Sequence, residues 1–229
     1  MVGFDYGDFA AVYRSAEPLA MIGQSPIQPR RQWDSMPPSG PEWLSRSIVL
    51  IGLMGAGKTC IGRRLASRLD LLFIDADAEI EAAAGCTIEE IFARHGEAAF
   101  RDGERRVIER LLAQPPQVLA TGGGAFMDTR IRAAIRARAV SVWLRADLDL
   151  LLKRTARRNN RPLLKRGEPR EILDGLMDER HPVYAEADIA VDSVDGPPEV
   201  TVGRVYQAVA GFLGAPRADP RTQAAEADQ

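Results

Sequence analysis

One stretch constrains this chain more than any other: Gly52-Leu53-Met54-Gly55-Ala56-Gly57-Lys58-Thr59. It satisfies every fixed position of G-x-x-x-x-G-K-[ST], the loop that cradles nucleotide phosphates. The flanks agree. Ser47-Ile48-Val49-Leu50-Ile51 is a short apolar, β-branched run, which predicts a buried strand. Beyond Thr59, apolar residues recur at Ile61, Leu65 and Leu69, one face of a helix. The loop therefore joins a strand to a helix N-terminus, where successive N–H groups face an anion. Lys58 can reach the β- and γ-phosphates, and the Thr59 hydroxyl can ligate Mg²⁺. The motif predicts nucleotide binding and says nothing of what receives the phosphate.

A chain of 229 residues, 45% of them hydrophobic, can bury the core of one α/β domain plus tails. The net charge of −2 and the absence of a dense basic stripe give nucleic-acid binding no electrostatic support. Cys60 and Cys86 lack metal-ligand spacing and a disulfide scaffold is not expected, so a reducing cytoplasm fits. No apolar run approaches membrane-spanning length, and no signal peptide is recognisable at the N-terminus.

Residues 1–44 are rich in proline and poor in periodicity, which predicts a poorly ordered N-terminal extension. The Ala-, Asp-, Pro- and Gln-bearing segment 215–229 predicts a disordered tail. Between them, strands and helices alternate. Short strands are expected at 71–74, 117–121, 140–144 and 189–191, and helices at about 77–84, 87–96, 97–113, 128–138, from 147, and 199–213. This alternation predicts a three-layer α/β/α fold of P-loop NTPase type around a parallel sheet of about five strands. The polar, basic segment 156–169 reads as a mobile lid.

Ligands bind such sheets beyond the C-terminal strand ends. Three unusual stretches fall there: the phosphate loop, Asp75-Ala76-Asp77, and Gly122-Gly123-Gly124. In an extended segment Asp75 and Asp77 share a face, so one could support a metal and the other orient or deprotonate an acceptor hydroxyl. The alternative is that Asp77 merely caps the following helix. The strand before the triple glycine lacks the acidic residue expected of helicase-like and transporter ATPases, which moves the metal role toward Asp75. Arg101, Arg161 and Arg180 are candidates for pairing with carboxylate or phosphate. His95 and His181 read as surface or helix-end residues.

Together these motifs resemble the shikimate kinases. The resemblance spans about 47–213: the loop at 52–59, Phe73-Ile74-Asp75-Ala76-Asp77, and Gly96-Glu97 followed by Phe100-Arg101 and Glu104. It continues through Gly122-Gly123-Gly124, Arg161-Pro162-Leu163-Leu164 and Arg180-His181-Pro182-Val183-Tyr184. The resemblance implies transfer of a phosphoryl group from ATP to the 3-hydroxyl of shikimate. It implies that Gly55, Ala56, Gly57, Lys58, Thr59 and Cys60 hold the phosphates, with Thr59 and Asp75 serving Mg²⁺. Asp77 would bind the acceptor hydroxyl, Arg101 and Arg180 would clamp the carboxylate, and Gly122, Gly123 and Gly124 would line the ring. Lys58, Asp77 and Arg161 would be the catalytic set, Arg161 arriving with the lid. Arg154 would lie against the adenine, with Pro198, or else Pro197, in the adenine loop. A monomer acting on small molecules, without nucleic acid or membrane, is expected. The rivals are a kinase for another hydroxylated metabolite such as gluconate, and a non-enzymatic nucleotide switch.

Overall fold

The computed structural model describes residues 40–156 and 167–215. Most of the expected extension and tail, and most of the expected lid with Arg161, lie outside the described residues.

Five parallel strands form one sheet in the order β2-β3-β1-β4-β5. They are β1 (Ser47–Ile51), β2 (Phe73–Asp75), β3 (Val118–Ala120), β4 (Ala139–Arg145) and β5 (Ile189–Asp192). The three central strands are buried on both faces, so β1 reads as a continuous apolar run rather than an alternation. Val49 pairs with Leu119 on one side and Ser141 on the other. This register brings the ends of β1, β2 and β3 to one rim.

Each crossover carries a helix whose apolar stripe covers the sheet. Helix α1 (Lys58–Leu69) buries Ile61, Leu65 and Leu69, the spacing read from the sequence. Helix α2 (Ala76–Ala84) ends on Gly85, whose φ of 67° suits glycine. Helix α3 (Ile88–Leu112) opens with a capping box between Thr87 and Glu90. At Gly96 (φ 79°, ψ 176°) it breaks into the two helical segments expected from the sequence. A single 3₁₀ turn (Ala125–Met127), α4 (Thr129–Arg138) and α5 (Leu148–Thr155) follow. Helices α6 (Pro169–Tyr184) and α7 (Pro198–Phe212) complete the described part.

Sequence periodicity left α6 unassigned, because charges occur on much of its surface and Pro182 sits in its last turn. Burial of Leu173 and Tyr184 against the rest of the protein holds it. Strand β2 starts two residues later than expected and takes in Asp75. At the N-terminal edge, Leu44 is buried and Trp43 stands edge-on to Tyr206 at 6.1 Å. No helix among the described residues is long and apolar enough to cross a membrane.

Candidate active site

The phosphate loop needs glycine for its backbone path. Gly52 (φ 139°) passes so close to β4 that an added Cβ would lie 2.6 Å from the Leu144 carbonyl oxygen. Gly57 takes φ 99° as the N-cap of α1, turning the chain into the helix. The Lys58 ammonium donates to the carbonyl oxygens of Gly52 (2.7 Å) and Leu53 (3.0 Å), so it lies folded over its own loop.

A cleft of about 460 Å³ opens above this loop. Gly55, Gly57, Lys58, Thr59 and Cys60 line it, as do Asp75, Asp77, Gly122 and Gly123. Arg154, Gly196 and Pro198 line it too; Pro197 is instead the N-cap of α7. The Arg154 guanidinium donates to Ser193 Oγ (2.8 Å) and to the carbonyl oxygens of Gly55, Ala56 and Val194. It thereby ties the phosphate loop to the segment after β5.

The paired aspartates make different contacts. Asp75 accepts from Thr59 Oγ1 through Oδ2 (3.0 Å) and from the Asp77 amide through Oδ1 (3.2 Å). Asp75, not Asp77, caps α2. That leaves the Asp77 carboxylate turned into the cleft. Burial raises its pKa above the ordinary aspartate value, the Asp75 charge adds to the rise, and Lys58 opposes it. A hydroxyl and a carboxylate 3.0 Å apart on the wall of a phosphate cleft form a hard-oxygen donor set. Such a set fits Mg²⁺, which keeps several waters and takes its remaining ligands from phosphate oxygens.

The triple glycine is where the sequence-predicted residues meet. A Cβ on Gly122 would sit 2.8 Å from Asp77 Oδ1. One on Gly123 would sit 3.3 Å from Arg180 Nη1, and one on Gly124 2.6 Å from both terminal nitrogens of Arg101. Space rather than backbone angle demands glycine here: Gly124, for example, has φ −93°. Three side chains from α2, α3 and α6 thus converge on three consecutive residues after β3, beside the phosphate loop.

Glu104, to which sequence reasoning assigned no role, supports this arrangement. It is 1% exposed and accepts from Arg101 Nη1 at 2.7 Å. Burial pushes its carboxyl above the usual glutamate range, and Arg101 pulls it back. A carboxylate one turn after Arg101, amid Phe100, Val107, Ile108 and Leu111, was the available signal. Tyr184 was missed too: wholly buried, it donates its hydroxyl to the Gly123 carbonyl. His181, near the end of α6, stands edge-on to Trp143 at 5.0 Å, away from the aspartates.

A glycine-wrapped phosphate loop on a parallel sheet, with a carboxylate and two guanidinium groups gathered on the glycine turn beside it, defines a P-loop phosphotransferase for small molecules. The shikimate kinase family model matches residues 54–210. A shikimate kinase of Paramagnetospirillum magneticum is 63% identical over 170 residues, covering 74% of this chain and 87% of that protein. One from Bradyrhizobium diazoefficiens is 51% identical over 203 residues, covering 88% and 96%. The structure of a shikimate kinase from Acinetobacter baumannii in complex with shikimate aligns with TM-score 0.70 at 38% identity, covering 73% of this chain and 94% of that one. The chain belongs to the shikimate kinase family.

Proposed function

We infer that the protein transfers the γ-phosphoryl group of ATP to the 3-hydroxyl of shikimate, giving shikimate 3-phosphate and ADP. Relatives at 51–63% identity that are shikimate kinases support the reading. The single observation that carries it is the meeting of Asp77, Arg101 and Arg180 on Gly122, Gly123 and Gly124 at the edge of the phosphate cleft. A small hydroxylated acid needs one oriented hydroxyl and one paired carboxylate, and that constellation offers both.

In this reading Arg101 and Arg180 grip the substrate carboxylate and the glycine backbone supports the ring. Asp77 holds the 3-hydroxyl and receives its proton as the oxygen–phosphorus bond forms and the bond to ADP breaks. Lys58 exchanges its loop carbonyls for phosphate oxygens, with little cost because both partners are polar and at hand. Thr59 and Asp75 would hold Mg²⁺, which would offset charge on the β- and γ-phosphates. The amides of Gly55, Ala56, Gly57, Lys58, Thr59 and Cys60 would surround the phosphates, and Arg154 and Pro198 would flank the adenine. Arg161 would add positive charge at the transferring group. Catalysis then consists chiefly of positioning and charge stabilisation. The two aspartates, both arginines and the phosphate loop come from one chain, in keeping with a monomer, and two free thiols suit a reducing cytoplasm.

The test is ADP release coupled to an acceptor panel with Mg·ATP. Turnover with shikimate, and little with gluconate, is the expected result. No turnover with shikimate would end the reading, and nucleotide-dependent capture of a protein without any small-molecule phosphorylation would favour a switch.

A further inference from the structure

Arg180 and Gly123 belong to different elements, α6 and the turn after β3, yet the proposed acceptor site needs both in one geometry. A third residue joins them. Tyr184 stands one helical turn beyond Arg180, on the same face of α6. Its ring is fully buried, tilted against Phe126 (6.4 Å) and Trp143 (6.0 Å). Its hydroxyl donates to the Gly123 carbonyl oxygen. The Arg180 guanidinium reaches the same glycine: a Cβ on Gly123 would lie 3.3 Å from Arg180 Nη1 and 3.9 Å from the Tyr184 hydroxyl oxygen. Burial raises the phenol pKa, an effect that Arg180 only partly counters, so the hydroxyl keeps its proton and remains a donor to Gly123.

Resting on the shikimate reading, we propose that Tyr184 is a positioning residue for the acceptor. Its hydroxyl holds the Gly123 carbonyl beside the Arg180 guanidinium and so sets the spacing between the carboxylate grip and the ring-supporting turn. It does not line the phosphate cleft, and its influence falls on acceptor binding.

The experiment is steady-state kinetics on the full chain carrying Tyr184→Phe, which keeps the buried ring and deletes one hydroxyl. The KM for shikimate should rise about tenfold, the scale of one hydrogen bond lost from a buried acceptor. The KM for ATP should stay within about twofold. A purely structural hydroxyl would lower Tm without separating the two KM values, and that result overturns the proposal. Arg180→Ala supplies the second arm. If Tyr184 acts through Arg180, adding Tyr184→Phe to Arg180→Ala should raise the shikimate KM no further. Full additivity overturns the proposal even if the single variant behaves as expected. A wild-type chain that fails to phosphorylate shikimate overturns the functional reading first, before any variant is compared, and removes the acceptor on which the proposal depends.

Discussion

Thr59 Oγ1 and Asp75 Oδ2 lie 3.0 Å apart, joining the first turn of α1 to the end of β2 across the intervening β3. The same carboxylate caps α2 through the Asp77 amide. One side chain thus links the phosphate loop to the residue proposed to meet the acceptor hydroxyl.

Asp75→Ala should therefore have two separable effects. Loss of the cap should lower stability by about 1 kcal/mol, read by denaturant unfolding. Loss of the metal-side oxygen should raise the Mg²⁺ concentration needed for half-maximal rate. An unchanged Mg²⁺ profile would confine Asp75 to structure.

Asp77→Asn should lower kcat by about 100-fold or more, the scale of a lost general base, while ATP still binds. Nucleotide affinity measured by calorimetry checks the second half. Lost ATP affinity with an intact rate would reverse the assignment.

The same substitution has a signed effect on stability. Asp77 has its folded pKa raised above the ordinary 3.8, so the native state binds more protons than the unfolded chain between those two values. Stability from this group is then full below 3.8 and lost as pH climbs through the folded pKa. Asp77→Asn should raise Tm near pH 7, and the gain should shrink as pH falls through the folded pKa toward 3.8, below which both side chains are neutral. Activity should run the other way, with the rising limb of kcat/KM above 3.8. Thermal melts across pH, paired with rates, test both signs.

Gly122→Ala and Gly124→Ala should differ in kind. The first pushes a methyl to 2.8 Å from Asp77 Oδ1, the second to 2.6 Å from the Arg101 guanidinium. Gly122→Ala should act mainly on kcat and Gly124→Ala mainly on the KM for shikimate. Stability losses should be modest, because the displaced groups are side-chain ends. Equal effects on both constants from both variants would contradict the division of roles.

Arg101→Ala should raise the shikimate KM while also stranding Glu104, which is 1% exposed. Breaking a buried ion pair by removing one partner costs about 3 kcal/mol, less here because Arg101 reaches solvent. Adding Glu104→Gln to Arg101→Ala should recover much of the Tm but none of the KM. Recovery of both would make the arginine structural rather than a substrate grip.

The phosphate loop, the strand before it and the helix after it were all legible in the linear chain, because each rests on local rules: glycine dihedrals, β-branched runs, a 3.6-residue stripe. The break at Gly96 and the capping box at Thr87 were legible for the same reason. Family-like motifs also marked Arg101, Arg180 and the triple glycine. Helix α6 was not legible, since its stability comes from burying Leu173 and Tyr184 against distant elements, while its local sequence carries charge and Pro182. Nor could local rules assign the cap of α2 to Asp75 and leave Asp77 facing the cleft, because that choice depends on Thr59 arriving from helix α1. The sequence alone determined which chemical groups the protein possesses and the backbone path of its nucleotide loop. Only the tertiary structure decided that Asp77, Arg101 and Arg180 meet over three side-chain-free residues, because contacts between elements far apart in the chain are set by sheet register and packing rather than by near neighbours.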